Sequence, residues 1–165
     1  MDTIAMGDWG NYLAVMAGAA ATLTGLVFVA VSINLSRILT VPGLSGRAAE
    51  SILQLLGVVA ISTTALIPWQ PPLALGIEIL LLDFILWLIQ TVLQVRYVRS
   101  KTGHPLRWAV TRIVQTQCAS IPFCVAGVLL MRGSPTGMYW LTPGFIFSLV
   151  AGFANAWVLL VEILR

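Results

Sequence analysis

Glu78 and Asp83 stand inside the apolar run 73–95, and Arg112 stands inside the apolar run 107–131. These are the residues that could do chemistry. An ionised Asp at the centre of a membrane-inserting helix costs roughly 2.5 to 3.5 kcal/mol, whereas each Leu, Ile, Val or Phe gives back only about 0.3 to 0.6 kcal/mol. An acid in such a place marks an ion or proton site, provided a partner or a hydrated cavity accompanies it. Trp87, Gln90 and Gln94 follow Asp83 at i+4, i+7 and i+11, so a helix would carry all of them on one face. At about 1.5 Å per residue Asp83 lies about 15 Å into its helix, near the bilayer midplane, and facing candidates at that depth are Thr22, Thr24 and Asn155. Arg112 lies nearer the level of Gln90, but its long side chain can rise toward Asp83. Two readings stay open: an ion or proton site gated by an Asp83 and Arg112 pair, or a polar network that holds helices in register while Arg112 snorkels to the surface. Glu78 is about 140° around the helix from Asp83, so the acids do not form a catalytic pair. Its expected partners are the hydroxyls of Ser62, Thr63 and Thr64 on the preceding helix.

Other chemistries lack their residues. Cys118 and Cys124 are about 9 Å apart along one helix and cannot bridge each other, which leaves packed thiols. His104 is the only histidine and Lys101 the only lysine, both in a connecting segment. Haem ligation by paired histidines, a zinc site and an intramembrane Schiff base are therefore not expected. Gly43, Leu44, Ser45 and Gly46 have the look of a nucleophile turn, but no base is placed to activate Ser45, and helix capping accounts for it. No phosphate-binding glycine loop is present. The expectation is no catalytic residue, no metal site and no cofactor.

The elements that must position Asp83 follow from composition. Apolar residues make up 59% of the 165 and charged residues 9%, against roughly 25% charged in soluble domains. This predicts an all-α integral membrane bundle in a single domain, residues 1–165, with helices at about 11–35, 48–68, 73–95, 107–131 and 138–163. No room is left for a soluble nucleic-acid-binding domain, and the net charge of +3 reflects basic anchors at the membrane surface.

The N-terminal segment carries Asp2 and Asp8 without a basic residue, so the first run is expected to stay as a helix rather than serve as a cleaved signal. Trp9 and Tyr12 are placed as interfacial aromatics, and Arg37 follows the run. Ala14, Gly18 and Thr22, and likewise Ala17, Ala21 and Gly25, recur at four-residue spacing and form a face that a second backbone can approach. Thr22, Thr24, Ser32 and Asn34 would line a polar path or, more simply, bond their own backbone. The segment 36–47, with Pro42 and Gly43, reads as a short basic loop, and Glu50 in the next helix suits the positive end of the helix dipole. Trp69, Gln70, Pro71 and Pro72 make a turn tight enough to set the second and third helices antiparallel. Pro122 predicts a kink in the fourth helix. Gly144, Ser148, Gly152 and Ala156 repeat the small-residue device on the fifth.

Arg37, Arg47, Arg96, Arg99, Lys101, Arg107 and Arg165 fall at one end of this arrangement and Arg132 at the other. The N-terminus is therefore expected outside and the C-terminus in the cytoplasm. The run AAATLTGLVFVAVSINL, Ala19 to Leu35, is similar to a stretch found in small bacterial multi-pass membrane proteins. The resemblance implies a bacterial inner membrane and carries no activity. The function expected is a homo-oligomeric protein of ion or proton channel or transport type with a midplane acidic site. The alternative is a non-catalytic accessory or assembly subunit of a membrane complex, whose polar residues serve helix contacts; an enzyme using Glu78, Asp83, Arg112 or Glu162 ranks third.

Overall fold

A computed structural model describes residues 6–40, 43–99 and 106–164, with side chains for all of these except 6–8, 106–109 and 158–164. Pro42, Lys101, His104 and Arg165, and the side chains of Arg107 and Glu162, lie outside the described residues. The helices are α1 (Met6–Ile33), α2 (Leu35–Thr40), α3 (Leu44–Ala65), α4 (Pro72–Arg99), α5 (Leu106–Met131) and α6 (Thr136–Leu164). Apart from α2 they are long and apolar enough to cross a membrane, which gives 5 candidate spans. No strand occurs among the described residues.

Helix α3 packs on α4, α4 on α5, α5 on α6 and α6 back on α3, so these close a ring; α1 lies outside it, along α3, and touches α6. The ends of the elements follow local chemistry. Asn34 turns its side-chain amide back to the Ala30 carbonyl at 2.9 Å, and α1 breaks there before the short α2. The stretch expected as a plain loop is thus partly helical. Ser45 does not cap α3: Gly43 occupies the cap with φ 87° and no side-chain cap bond, and Ser45 is exposed in the first turn. Only glycine fits at 43, since φ is left-handed and a Cβ would collide with the Tyr97 ring. Helix α5 runs on through Pro122, and α6 likewise contains Pro143.

In hydrocarbon, helices associate through close packing rather than through release of water, so small residues decide where they can meet. A Cβ built on Gly76 of α4 would come within 2.6 Å of the Gly127 carbonyl of α5, and one on Gly144 of α6 within 2.6 Å of the Phe123 ring. Gly152 seats Leu55 of α3, and its carbonyl accepts a 2.7 Å bond from Ser51. The α6 device therefore works inside the bundle. On α1 the small-residue face is left uncovered within this chain. Ala14, Gly18, Ala21, Thr22 and Gly25 are exposed, Gly18 and Gly25 have nothing within 4 Å of a built Cβ, and among the described side chains of α1 only Leu13 and Ala20 are buried.

The ring has two halves. Toward the end holding the α3–α4 and α5–α6 turns, its interior is apolar except for the buried Ser62: Val58, Ile61, Leu75, Ile79, Phe123, Leu130, Met138, Leu141 and Phe145 form one cluster. Phe123 and Phe145 meet edge to face at 5.5 Å within it. Toward the other end, where Arg37, Arg47, Arg96 and Arg99 are found, the interior is polar, with Glu50, Gln54, Gln90, Gln94, Arg112 and Thr116 all buried. Asp83 stands at the boundary.

Candidate functional site

The Asp83 stripe faces inward: Asp83, Gln90 and Gln94 are the buried polar residues of α4, and Trp87 is half-buried beside them. What it faces is α5. Asp83 Oδ2 accepts hydrogen bonds from Ser120 Oγ at 2.8 Å and from Cys124 Sγ at 3.2 Å. Trp87 Nε1 donates to Gln117 Oε1 at 3.3 Å. Gln94 Nε2 donates to Thr116 Oγ1 at 2.8 Å, and Thr116 Oγ1 in turn lies 3.2 Å from the Arg112 carbonyl and 3.5 Å from Gln90 Oε1. A hydroxyl has one proton, so Thr116 serves one of these acceptors at a time.

Arg112 does not pair with Asp83. Its Nε and Nη2 hold Glu50 Oε2 and Oε1 at 2.8 and 2.6 Å, a bidentate pair in which both side chains are 2% exposed. The Tyr97 ring lies 4.6 Å from the guanidinium carbon and adds a cation–π contact on one face. Glu50 is therefore not explained by the helix dipole. Helix α3 starts at Leu44, four residues before its expected start, which carries Glu50 deeper into the helix. A bidentate fork with a stacked aromatic recovers much of the cost of burying two charges, and the charges neutralise each other.

The remaining expected site residues are scattered. Glu78 is half-buried and accepts a bond from the Gln70 amide across the α3–α4 turn, while Thr63 bonds its own backbone and Ser62 Oγ is buried without a partner. Thr22 and Thr24 donate to the Gly18 and Ala20 carbonyls on α1 and do not approach Asp83. Asn155 is buried on α6 but does not line the space beside Asp83. Cys118 and Cys124 are not packed thiols: both residues are exposed, Cys124 turning only its sulfur inward to Asp83.

A small cavity of about 20 Å³ lies between α3, α4, α5 and α6 next to Asp83, roughly the space of one water molecule. Gln54, Gln90, Thr116, Ser120 and Ser148 line it together with Asp83, and Phe123 and Ile61 are among its apolar lining. Gln54, Thr116 and Ser120, which the sequence alone does not single out, thus do much of the positioning, together with Glu50 and Cys124, which the sequence alone assigns to the helix dipole and to packed thiols. A signal for some of them exists. Glu50, Gln54, Gly57 and Ile61 share one helix face, at i, i+4, i+7 and i+11, and all are buried.

Among the described residues no group of three or more His, Cys, Asp or Glu could hold a metal ion. Comparison with protein-family models, curated proteins and solved structures finds no match to the chain.

Proposed function

We propose that the chain is a multi-pass protein of a bacterial inner membrane, of channel or transport type, in which Asp83 is the ion- or proton-handling group. The observation that carries this reading is the uneven interior: apart from Ser62, the buried polar side chains lie between the basic end and Asp83, and the Phe123 and Phe145 plug stands beyond it. A purely structural network has no reason to be confined to one side of a midplane acid, whereas a half-path to a protonatable or cation-binding group has. In this reading the arginine-rich end is cytoplasmic, the N-terminus is outside, and the described conformation is closed on the side of the plug. Purified protein in vesicles of bacterial phospholipid should pass protons or alkali cations down a gradient, and Asp83→Asn should reduce that flux at least about tenfold. Vesicles as tight as protein-free ones would sink the proposal.

A second reading, an accessory or assembly subunit, is favoured by α1. Its exposed small-residue face fits either a second copy of this chain or a helix of another membrane protein. Cross-linking through a cysteine at Gly18 distinguishes them: a disulfide-linked dimer supports the homo-oligomer, and a mixed product in native membranes supports the accessory role.

A further inference from the structure

We infer that the cavity beside Asp83 is a binding site for one dehydrated alkali-metal cation of Na⁺ or K⁺ size. The inference deepens the transport reading, and it rests on that reading for any part the site plays in flux. The lining includes oxygen-bearing side chains from every helix of the ring: Gln54 of α3, Asp83 and Gln90 of α4, Thr116 and Ser120 of α5, and Ser148 of α6. Carboxylate, hydroxyl and amide oxygens are the ligands hard cations take, and beside Asp83 a single sulfur, Cys124, is no ligand set for a softer metal: no group of three or more His, Cys, Asp or Glu that could hold a metal ion occurs among the described residues. Charge selects the valence. Asp83 is the one carboxylate on the cavity, and the Glu50 and Arg112 pair is neutral as a unit, so a monovalent ion leaves the site without net charge, whereas a divalent ion strands a positive charge in a low dielectric. Size agrees, because about 20 Å³ is the space of about one water or one bare ion.

An independent observation points to a ligand. Gln54 is 6% exposed and Ser148 is 2% exposed, both line the cavity, and neither side chain makes a hydrogen bond among the described residues. Buried polar groups are nearly always satisfied, and these face a space shared with a carboxylate. A bound cation accepts their oxygens as ligands and leaves the Gln54 amide free to donate. The Ser120 proton already points at Asp83 Oδ2, so the Ser120 oxygen has a lone pair to offer.

The test is thermal unfolding of the purified full chain in detergent, in NaCl, KCl, choline chloride and MgCl₂ at equal ionic strength. NaCl or KCl should raise Tm by at least about 2 °C over choline chloride, the shift expected when an ion binds the folded state alone. Asp83→Asn should abolish the shift. Ser148→Ala removes a ligand but no internal hydrogen bond, so it should fold normally and weaken the apparent ion affinity by about tenfold, one polar contact. Ser32→Ala, whose hydroxyl bonds the Phe28 carbonyl on the outside of α1, should leave the shift unchanged. Equal Tm in sodium, potassium and choline overturns the inference, as does a shift that survives both Asp83→Asn and Ser148→Ala, or a larger shift with magnesium. Proton flux in vesicles without any sodium or potassium shift overturns it too, while the transport reading stands. An ion-dependent Tm with impermeable vesicles supports the site and removes only its role in flux.

Discussion

Arg112 grips Glu50 through two parallel hydrogen bonds of 2.8 and 2.6 Å, and thereby ties α5 to α3 across the polar half of the ring. The Asp83 carboxylate, by contrast, meets a hydroxyl and a thiol and no cationic side chain among the described residues.

Breaking the pair from one side strands a buried charge, whereas removing both charges does not. Glu50→Leu and Arg112→Met should each destabilise the protein by about 3 to 5 kcal/mol, and the double variant should recover most of that loss. Unfolding of the three variants in one detergent provides the measurement. Additive losses would show that the contact carries no coupling.

Asp83 should behave differently under two substitutions. Asn keeps an oxygen to accept from Ser120 and Cys124, so Asp83→Asn should change stability by less than about 1 kcal/mol. Leu deprives the Ser120 donor of its acceptor, and Asp83→Leu should cost about 1 to 3 kcal/mol. Equal stabilities would show that the hydrogen bonds to α5 are idle.

Span number and the inward face of α4 are legible from hydrophobic run length and from the spacing of Asp83, Gln90 and Gln94, because both depend on local periodicity. The partner of Arg112 is not. Placing it needs the start of α3, and an N-terminal boundary set by Gly43 at φ 87° rather than by Ser45 moves Glu50 further into the helix. The role of small residues is equally illegible: Gly18 and Gly144 sit in similar four-residue patterns, yet one faces outward and the other receives Phe123. Which side of a helix meets a neighbour depends on the ring order of α3 to α6, and nothing local encodes that.

Orientation is testable by labelling on a background free of Cys118 and Cys124. Thr136, exposed at the start of α6, and Thr40, exposed at the end of α2, lie at opposite ends of the bundle. A cysteine at Thr136 should react with an impermeant maleimide in intact cells, and one at Thr40 only after permeabilisation. The reverse pattern would invert the assignment of the basic end to the cytoplasm.

The glycines separate intramolecular packing from assembly. At Gly127 a Cβ would come within 2.6 Å of Leu80, and at Gly76 within 2.6 Å of the Gly127 carbonyl, which is backbone and cannot swing away. Gly76→Val should therefore force α4 and α5 apart and destabilise the protein by about 1 to 3 kcal/mol, the range for overpacked sites. Gly18 and Gly25 meet nothing within 4 Å, so Gly18→Val or Gly25→Val should leave the unfolding of the isolated protomer within about 0.5 kcal/mol of the parent. If copies meet through the α1 face, the same α1 substitutions should shift the protein from oligomer to monomer in size-exclusion chromatography with light scattering, because a branched side chain blocks close backbone approach. An oligomer that withstands both α1 substitutions would place the contact between copies elsewhere. A large loss of protomer stability from either one would show that α1 packs against the ring through that face after all.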